Sequence, residues 1–95
     1  MDCQYTFELE KAIIYNDLEK VKKIVNDYKK SNIEYLLDID TKYFELACYY
    51  NCTNIIYYLI DNFDNIDFFS NNSRALEFIL KNGNYELLEY IKNKL

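Results

Sequence analysis

Chemistry in this chain has few carriers. There is no histidine, so imidazole-based triads and histidine metal sites are excluded. Cys48 and Cys52 stand four residues apart, on one helical face, a spacing able to hold a metal between two thiolates. No third ligand type is near, and no cationic neighbour lowers a thiol pKa. Burial at a small-residue core position is the simpler account of Cys48, and Cys3 belongs to a fraying helix end. Asp61, Asp64 and Asp67 invite a calcium reading. An EF-hand loop needs glycine at its sixth position and glutamate at its twelfth; counting from Asp61, these are Ile66 and Asn72. The carboxylates therefore read as a solvated connector. Asn51-Cys52-Thr53 and Asn71-Asn72-Ser73 match the glycosylation pattern, a coincidence expected in an Asn-rich chain without an export signal. No glycine-rich phosphate loop is present. The expectation is no enzyme activity, no cofactor and no metal.

Composition bounds the remaining classes. Ninety-five residues make one domain, of a size that buries about two thirds of its unfolded surface. Half of the residues are apolar and 18% aromatic, unlike a disordered chain. One glycine and no proline disfavour a turn-rich β fold. A net charge of −5 argues against a nucleic-acid partner and against an anionic membrane surface. No apolar run reaches membrane-spanning length and no signal-peptide core opens the chain, so the expected location is cytoplasmic, with reduced cysteines. Nearly half of the chain is Asn, Ile, Lys and Tyr. All four have A/T-rich codons, which points to an A/T-rich genome such as that of a giant virus or a protist.

The elements that must position any site are amphipathic helices. Leu9, Ala12 and Ile13 form a first stripe; Val21, Ile24, Val25 and Tyr28 form a second, with Asp17 as its N-cap. Residues 31–40 read as an irregular connector with a helical turn. Asp40 or Thr41 then caps a helix carrying Phe44, Ala47 and Cys48; Asn51 breaks it, and Ile55, Ile56, Leu59 and Ile60 follow. A polar connector, 61–73, holds the apolar trio Ile66, Phe68 and Phe69. From Arg74 the chain shows two more helices, striped by Leu76, Ile79 and Leu80 and by Leu87, Leu88, Ile91 and Leu95. Between them lies Asn82-Gly83-Asn84, where Gly83 suits the left-handed position past a helix end and Asn84 an N-cap.

The breaks at Asn16, Asn51 and Gly83 are 35 and 32 residues apart. Ala12, Ala47 and Ile79 align with them, as do Val21, Ile56 and Leu88. A period near 33 built of helix, turn, helix and connector marks units too thin to bury their own apolar faces, which must stack. Units run approximately over 5–38, 39–71 and 72–95. The first helix, with Cys3, Tyr5 and Phe7 beside Glu8, Glu10 and Lys11, makes an imperfect polar cap for such a stack.

Three stretches, AIIYNDLEKVKKIV (12–25), ACYYNCTNIIYYLI (47–60) and ILKNGNYELLEYIK (79–92), resemble the ankyrin-repeat pattern small-small-x-x-Gly-His-Leu-Glu-x-Val-x-x-Leu-Leu. The resemblance covers nearly the whole chain. It departs where no Thr-Pro-Leu-His opens a unit and where Phe63 stands for the connector glycine, so the β-hairpin fingers are expected to be distorted or absent. Tetratricopeptide-type repeats share the period without the polar connector, and a plain helical bundle shares the stripes. The resemblance implies an all-α, ankyrin-like α-solenoid of three stacked repeats that binds another protein through its concave groove and connectors. It also implies that the two residues before each inter-helix turn face the groove: Ile14 and Tyr15, Tyr49 and Tyr50, Lys81 and Asn82. With Asp64 on the connector rim, these are the candidate partner-binding residues. For Tyr49 and Tyr50 two readings stand, as groove hot spots or as packing against the connector. Tyr57 and Tyr58, on the outer helix, are expected to close gaps or sit half exposed. The alternative function is a structural subunit that self-assembles into a homo-oligomer.

Overall fold

The computed structural model describes residues 3–30, 36–63 and 66–95, with side-chain surroundings for 7–27, 41–63 and 66–95. Six helices occur in these residues: α1 (Cys3–Ile14), α2 (Leu18–Lys30), α3 (Leu36–Tyr49), α4 (Thr53–Asn62), α5 (Ser70–Lys81) and α6 (Tyr85–Lys94). No strand is present among the described residues. The helices form three antiparallel pairs. Helix α3 packs against both α1 and α5, and α2 packs against α4. The odd-numbered helices thus make one layer and the even-numbered helices a second, as stacked repeats require.

One turn is built three times. Asn16, Asn51 and Gly83 have φ of 58°, 56° and 70°. Their amides donate to Ile13, Cys48 and Leu80, and the next amides (Asp17, Cys52, Asn84) donate to Ala12, Ala47 and Ile79 at 2.8, 3.0 and 3.2 Å. This pair of bonds is the Schellman motif, with the left-handed residue at C′. Asparagine and glycine stand there because few other residues tolerate that backbone. Ala12, Ala47 and Ile79 are all buried, so the register read from the sequence is the structural register.

The residue after the left-handed position does different work in each unit. Asp17 caps its own helix by accepting from the Lys20 amide at 3.2 Å. Cys52 and Asn84 reach back to the preceding repeat instead. The Cys52 thiol donates to the Ile13 carbonyl at 3.1 Å, and the Asn84 amide donates to the Thr53 hydroxyl at 3.3 Å. Asn84 therefore sits at the N-cap position but caps no backbone amide; its side chain joins two repeats.

The connectors depart from the sequence expectation. Residues 36–40 belong to α3, not to an irregular connector, and residues 31–35 lie outside the described set. Nothing between Leu36 and Thr41 breaks a helix, and each added residue gains a backbone hydrogen bond once a nucleus exists. Thr41 lies within α3 and is not its cap; its hydroxyl accepts from the Asp67 amide at 3.1 Å. The second connector is shorter than 61–73, because α4 runs to Asn62. Within it Ile66 is buried, and Phe68 meets Phe44 edge to face at 5.2 Å. Asn71, Asn72 and Ser73 form a left-handed turn, φ 56–62°, and right-handed helix begins at Arg74. A cost of about 1–2 kcal/mol per left-handed residue is smallest for asparagine. Asn71 is anchored by donating to both carboxylate oxygens of Glu45 at 3.0 and 3.1 Å.

The core runs through the whole stack, from Leu9 and Val21 to Leu87 and Ile91. Four residues assigned to apolar stripes stand partly or largely outside it. Leu80 and Leu95 are exposed, and Leu76 and Leu88 are half-buried. The second-unit equivalents of Leu76, Leu80 and Leu88 are Phe44, Cys48 and Ile56, which lie against the third helix pair and are fully buried. The side chain of Tyr28, also assigned to a stripe, lies outside the described residues.

Candidate functional site

The α1–α3–α5 layer presents columns of equivalent residues. Ile14, Tyr49 and Lys81 form one column, and Tyr15, Tyr50 and Asn82 form the next, each at the C-terminal end of its helix. All six are exposed. Tyr15 is 74% exposed, Tyr49 59% and Tyr50 44%, unusual values for rings that each have a core available one turn away.

Tyr49 is held in place without being hidden. Its ring meets Tyr50 at 5.0 Å and Phe78 at 5.2 Å, both edge to face. The Arg74 guanidinium lies 5.6 Å above the Phe78 ring. Among the described residues, the ring contacts of this pair are to each other and to α5. A cleft of about 350 Å³ opens beside Tyr49, lined also by Glu10, Lys42, Glu45, Leu46, Arg74 and Phe78. Lys42 pairs with Glu10 across the α1–α3 seam at 3.8 Å, an exposed bridge that orients more than it stabilises. Lys81 and Asn82 stand at the far end of this face. Asp64 lies outside the described residues.

The acidic rim expected beside the tyrosines is not assembled from the described members of the aspartate trio. Asp61, in α4, accepts from the Tyr90 hydroxyl and pairs with Lys94 at 3.7 Å, both on α6. Asp67 accepts from the Phe69 amide at 3.0 Å and holds its own turn. The carboxylates that do border the tyrosine cleft are Glu10 and Glu45. Neither they nor Lys42, Leu46, Arg74 and Phe78 were read from the sequence as site residues. The signal was present: each lies three, four or seven residues before Ile14, Tyr49 or Lys81, on the same helical face.

The two thiols are spent on structure. Both are buried. Burial pushes the Cys48 thiol far above its ordinary value, with Glu45 and Cys52 adding to the shift, and burial raises Cys52 as well. A thiol held protonated is a poor nucleophile and a poor metal ligand. Among the described residues, no group of three or more His, Cys, Asp or Glu side chains is placed to hold a metal. No described helix is long and apolar enough to cross a membrane.

Comparison with known proteins agrees with the repeat geometry. The chain is 35% identical over 85 residues to a protein of Acanthamoeba polyphaga mimivirus named as an ankyrin repeat protein. This chain is ankyrin-like. The match takes in 87% of the chain and 20% of the viral protein, so the chain spans about a fifth of that relative's length. No family model matches the chain, and no solved structure matches it. The divergence that hides an ankyrin-like chain from a family model is visible in its turns. Asn16 and Asn51 replace the family's turn glycine, and no histidine follows any of the three.

Proposed function

We propose that this ankyrin-like chain is a non-enzymatic module that binds another protein through the face formed by α1, α3 and α5. The contact set is Ile14, Tyr15, Tyr49, Tyr50, Lys81 and Asn82, with Asp64 on the adjoining connector. The observation that carries the proposal is the exposure of Tyr15, Tyr49 and Tyr50 on one face beside a preformed cleft. Tyr49, more than half exposed and already fixed by edge-to-face neighbours, is a ring that buries much surface at little entropy cost when a partner arrives. The mimivirus relative and the bias toward Asn, Ile, Lys and Tyr, whose codons are A/T-rich, support a giant-virus source. In that setting the module works inside a host cell, and the partner is a host regulatory protein.

The test is capture from a lysate of the native host, with parent and Tyr49→Ala/Tyr50→Ala chains as parallel baits. A partner retained by the parent and lost by the folded double variant supports the reading; equal retention overturns it. A second reading, self-assembly into a homo-oligomer, is favoured by the exposed apolar side chains of Leu80 and Leu95.

A further inference from the structure

The cleft beside Tyr49 has an apolar floor and two flanks that differ in charge. Leu46 and Phe78, both half-buried, and the exposed ring of Tyr49 make the floor. The carboxylates at its edge are already engaged. Glu10 pairs with Lys42 at 3.8 Å, and Glu45 accepts from the Asn71 amide through both oxygens. The α5 flank is different. Arg74, Phe78 and Lys81 stand at i, i+4 and i+7, on one helical face. Arg74 and Lys81 are exposed, and neither forms an ion pair among the described residues. The Arg74 guanidinium lies 5.6 Å from the Phe78 ring centre. Glu77 belongs to the other flank of α5, where it lines a separate groove with Leu76 and Leu80.

We propose that this cleft takes a short acidic segment of a partner protein, with one large apolar side chain seated on Leu46 between Tyr49 and Phe78 and carboxylates on Arg74 and Lys81. The proposal rests on the reading of the α1–α3–α5 face as the binding surface and supplies the partner's chemistry. Charge complementarity chooses the occupant. A basic segment would meet two carboxylates already engaged and two cations without an ionic partner, so it would bring like charges together. An acidic segment gives those cations their missing acceptors. The planar guanidinium of Arg74, already placed against an aromatic ring, suits a carboxylate bound bidentately. Spacing supports the same occupant. The pattern acid-x-apolar-x-acid puts its three named side chains on one face of an extended chain, over about 13 Å. Arg74 and Lys81 start about 10.5 Å apart along the helix, and their long side chains cover the difference. Phe78 stands between them, opposite the apolar residue.

The probe is a phage-displayed library of short random peptides, selected on the folded chain and counter-selected on an unrelated protein of similar net charge. Enriched peptides should carry a large apolar residue flanked by Asp or Glu and be depleted in Lys and Arg. Arg74→Glu changes an exposed side chain, so the fold should survive by circular dichroism. An enriched peptide, read by fluorescence anisotropy, should bind that variant at least ~10-fold more weakly than the parent. The same peptide with its acidic residues changed to lysine should recover most of that loss on Arg74→Glu. Basic peptides that bind the parent and fail on the folded Tyr49→Ala/Tyr50→Ala chain keep the face and overturn the acidic partner. Acidic peptides indifferent to Arg74→Glu overturn the docking proposed here. Peptides indifferent to the tyrosine pair as well overturn the face itself, and a selection that enriches nothing overturns a short segment as the occupant.

Discussion

Two sets of tyrosines occupy opposite layers of the molecule and meet opposite fates. On the outer layer, Tyr57 and Tyr90 stack edge to face at 4.8 Å. The Tyr90 hydroxyl donates to Asp61, and Lys94 both pairs with Asp61 and lies 5.3 Å over the Tyr90 ring. These groups staple the second repeat to the third. On the inner layer, Tyr15, Tyr49 and Tyr50 have no such polar anchor among the described residues and leave much of their area in water. Residue type does not separate the two sets; the partners each ring finds do. A stapled ring is spent on stability, and an unstapled one remains available to a partner.

Breaking the staple should show this most strongly. Tyr57→Ala removes a half-buried ring from the seam and should cost about 1–3 kcal/mol in chemical denaturation. Tyr49→Ala, which removes a mostly solvated ring, should cost less than about 1 kcal/mol. Equal losses would erase the distinction. Next in size is Gly83→Val, expected to cost about 1–2 kcal/mol. No atom lies within 4 Å of the added Cβ and φ is +70°, so the effect is purely backbone, and an unchanged melting temperature would place Gly83 in ordinary helical space. A smaller gain, up to ~1 kcal/mol, is expected from Asn51→Gly, which relieves the same backbone in the second repeat.

The smallest effect is one of pH. The hydrogen bond to Asp61 raises the Tyr90 phenol above its ordinary value of 10.0, and burial raises Cys48 above 9.0. For both, the folded state favours the protonated form. Their stabilisation is complete below the unfolded values and is lost as pH rises, because the unfolded chain ionises first. Thermal melts should therefore weaken from pH 9 upward, and Tyr90→Phe should flatten the part of that decline above pH 10. An identical decline in parent and variant would detach Tyr90 from it.

How much of this was legible in the sequence follows from the range of the forces involved. The inter-helix turns were legible because they are local: one residue able to take positive φ, flanked by helical stripes, specifies the Schellman turn at Asn16, Asn51 and Gly83 alike. The left-handed turn at 71–73 was not, because distant groups hold it. Thr41 and Glu45 fix the second connector from 26 residues away. Asn84 shows the same limit in miniature, a good cap by composition that a neighbouring repeat recruits. The exposed columns at the helix ends followed from the register, whereas the charges around the cleft depended on which carboxylates stand on α1 and α3 beside it. Asp61 and Asp67 were engaged elsewhere; Glu10 and Glu45 border the cleft.

The central claim, that binding belongs to the inner tyrosines and stability to the outer ones, is tested most directly by surface plasmon resonance with the partner captured by the parent chain. Tyr49→Ala/Tyr50→Ala should weaken binding by ~2 kcal/mol or more, chiefly through faster dissociation, with a nearly unchanged melting temperature. Tyr57→Ala should lower the melting temperature and, at a temperature where it is folded, bind like the parent. A folded double variant that binds like the parent, or a Tyr57→Ala variant that is folded and fails to bind, would contradict the account.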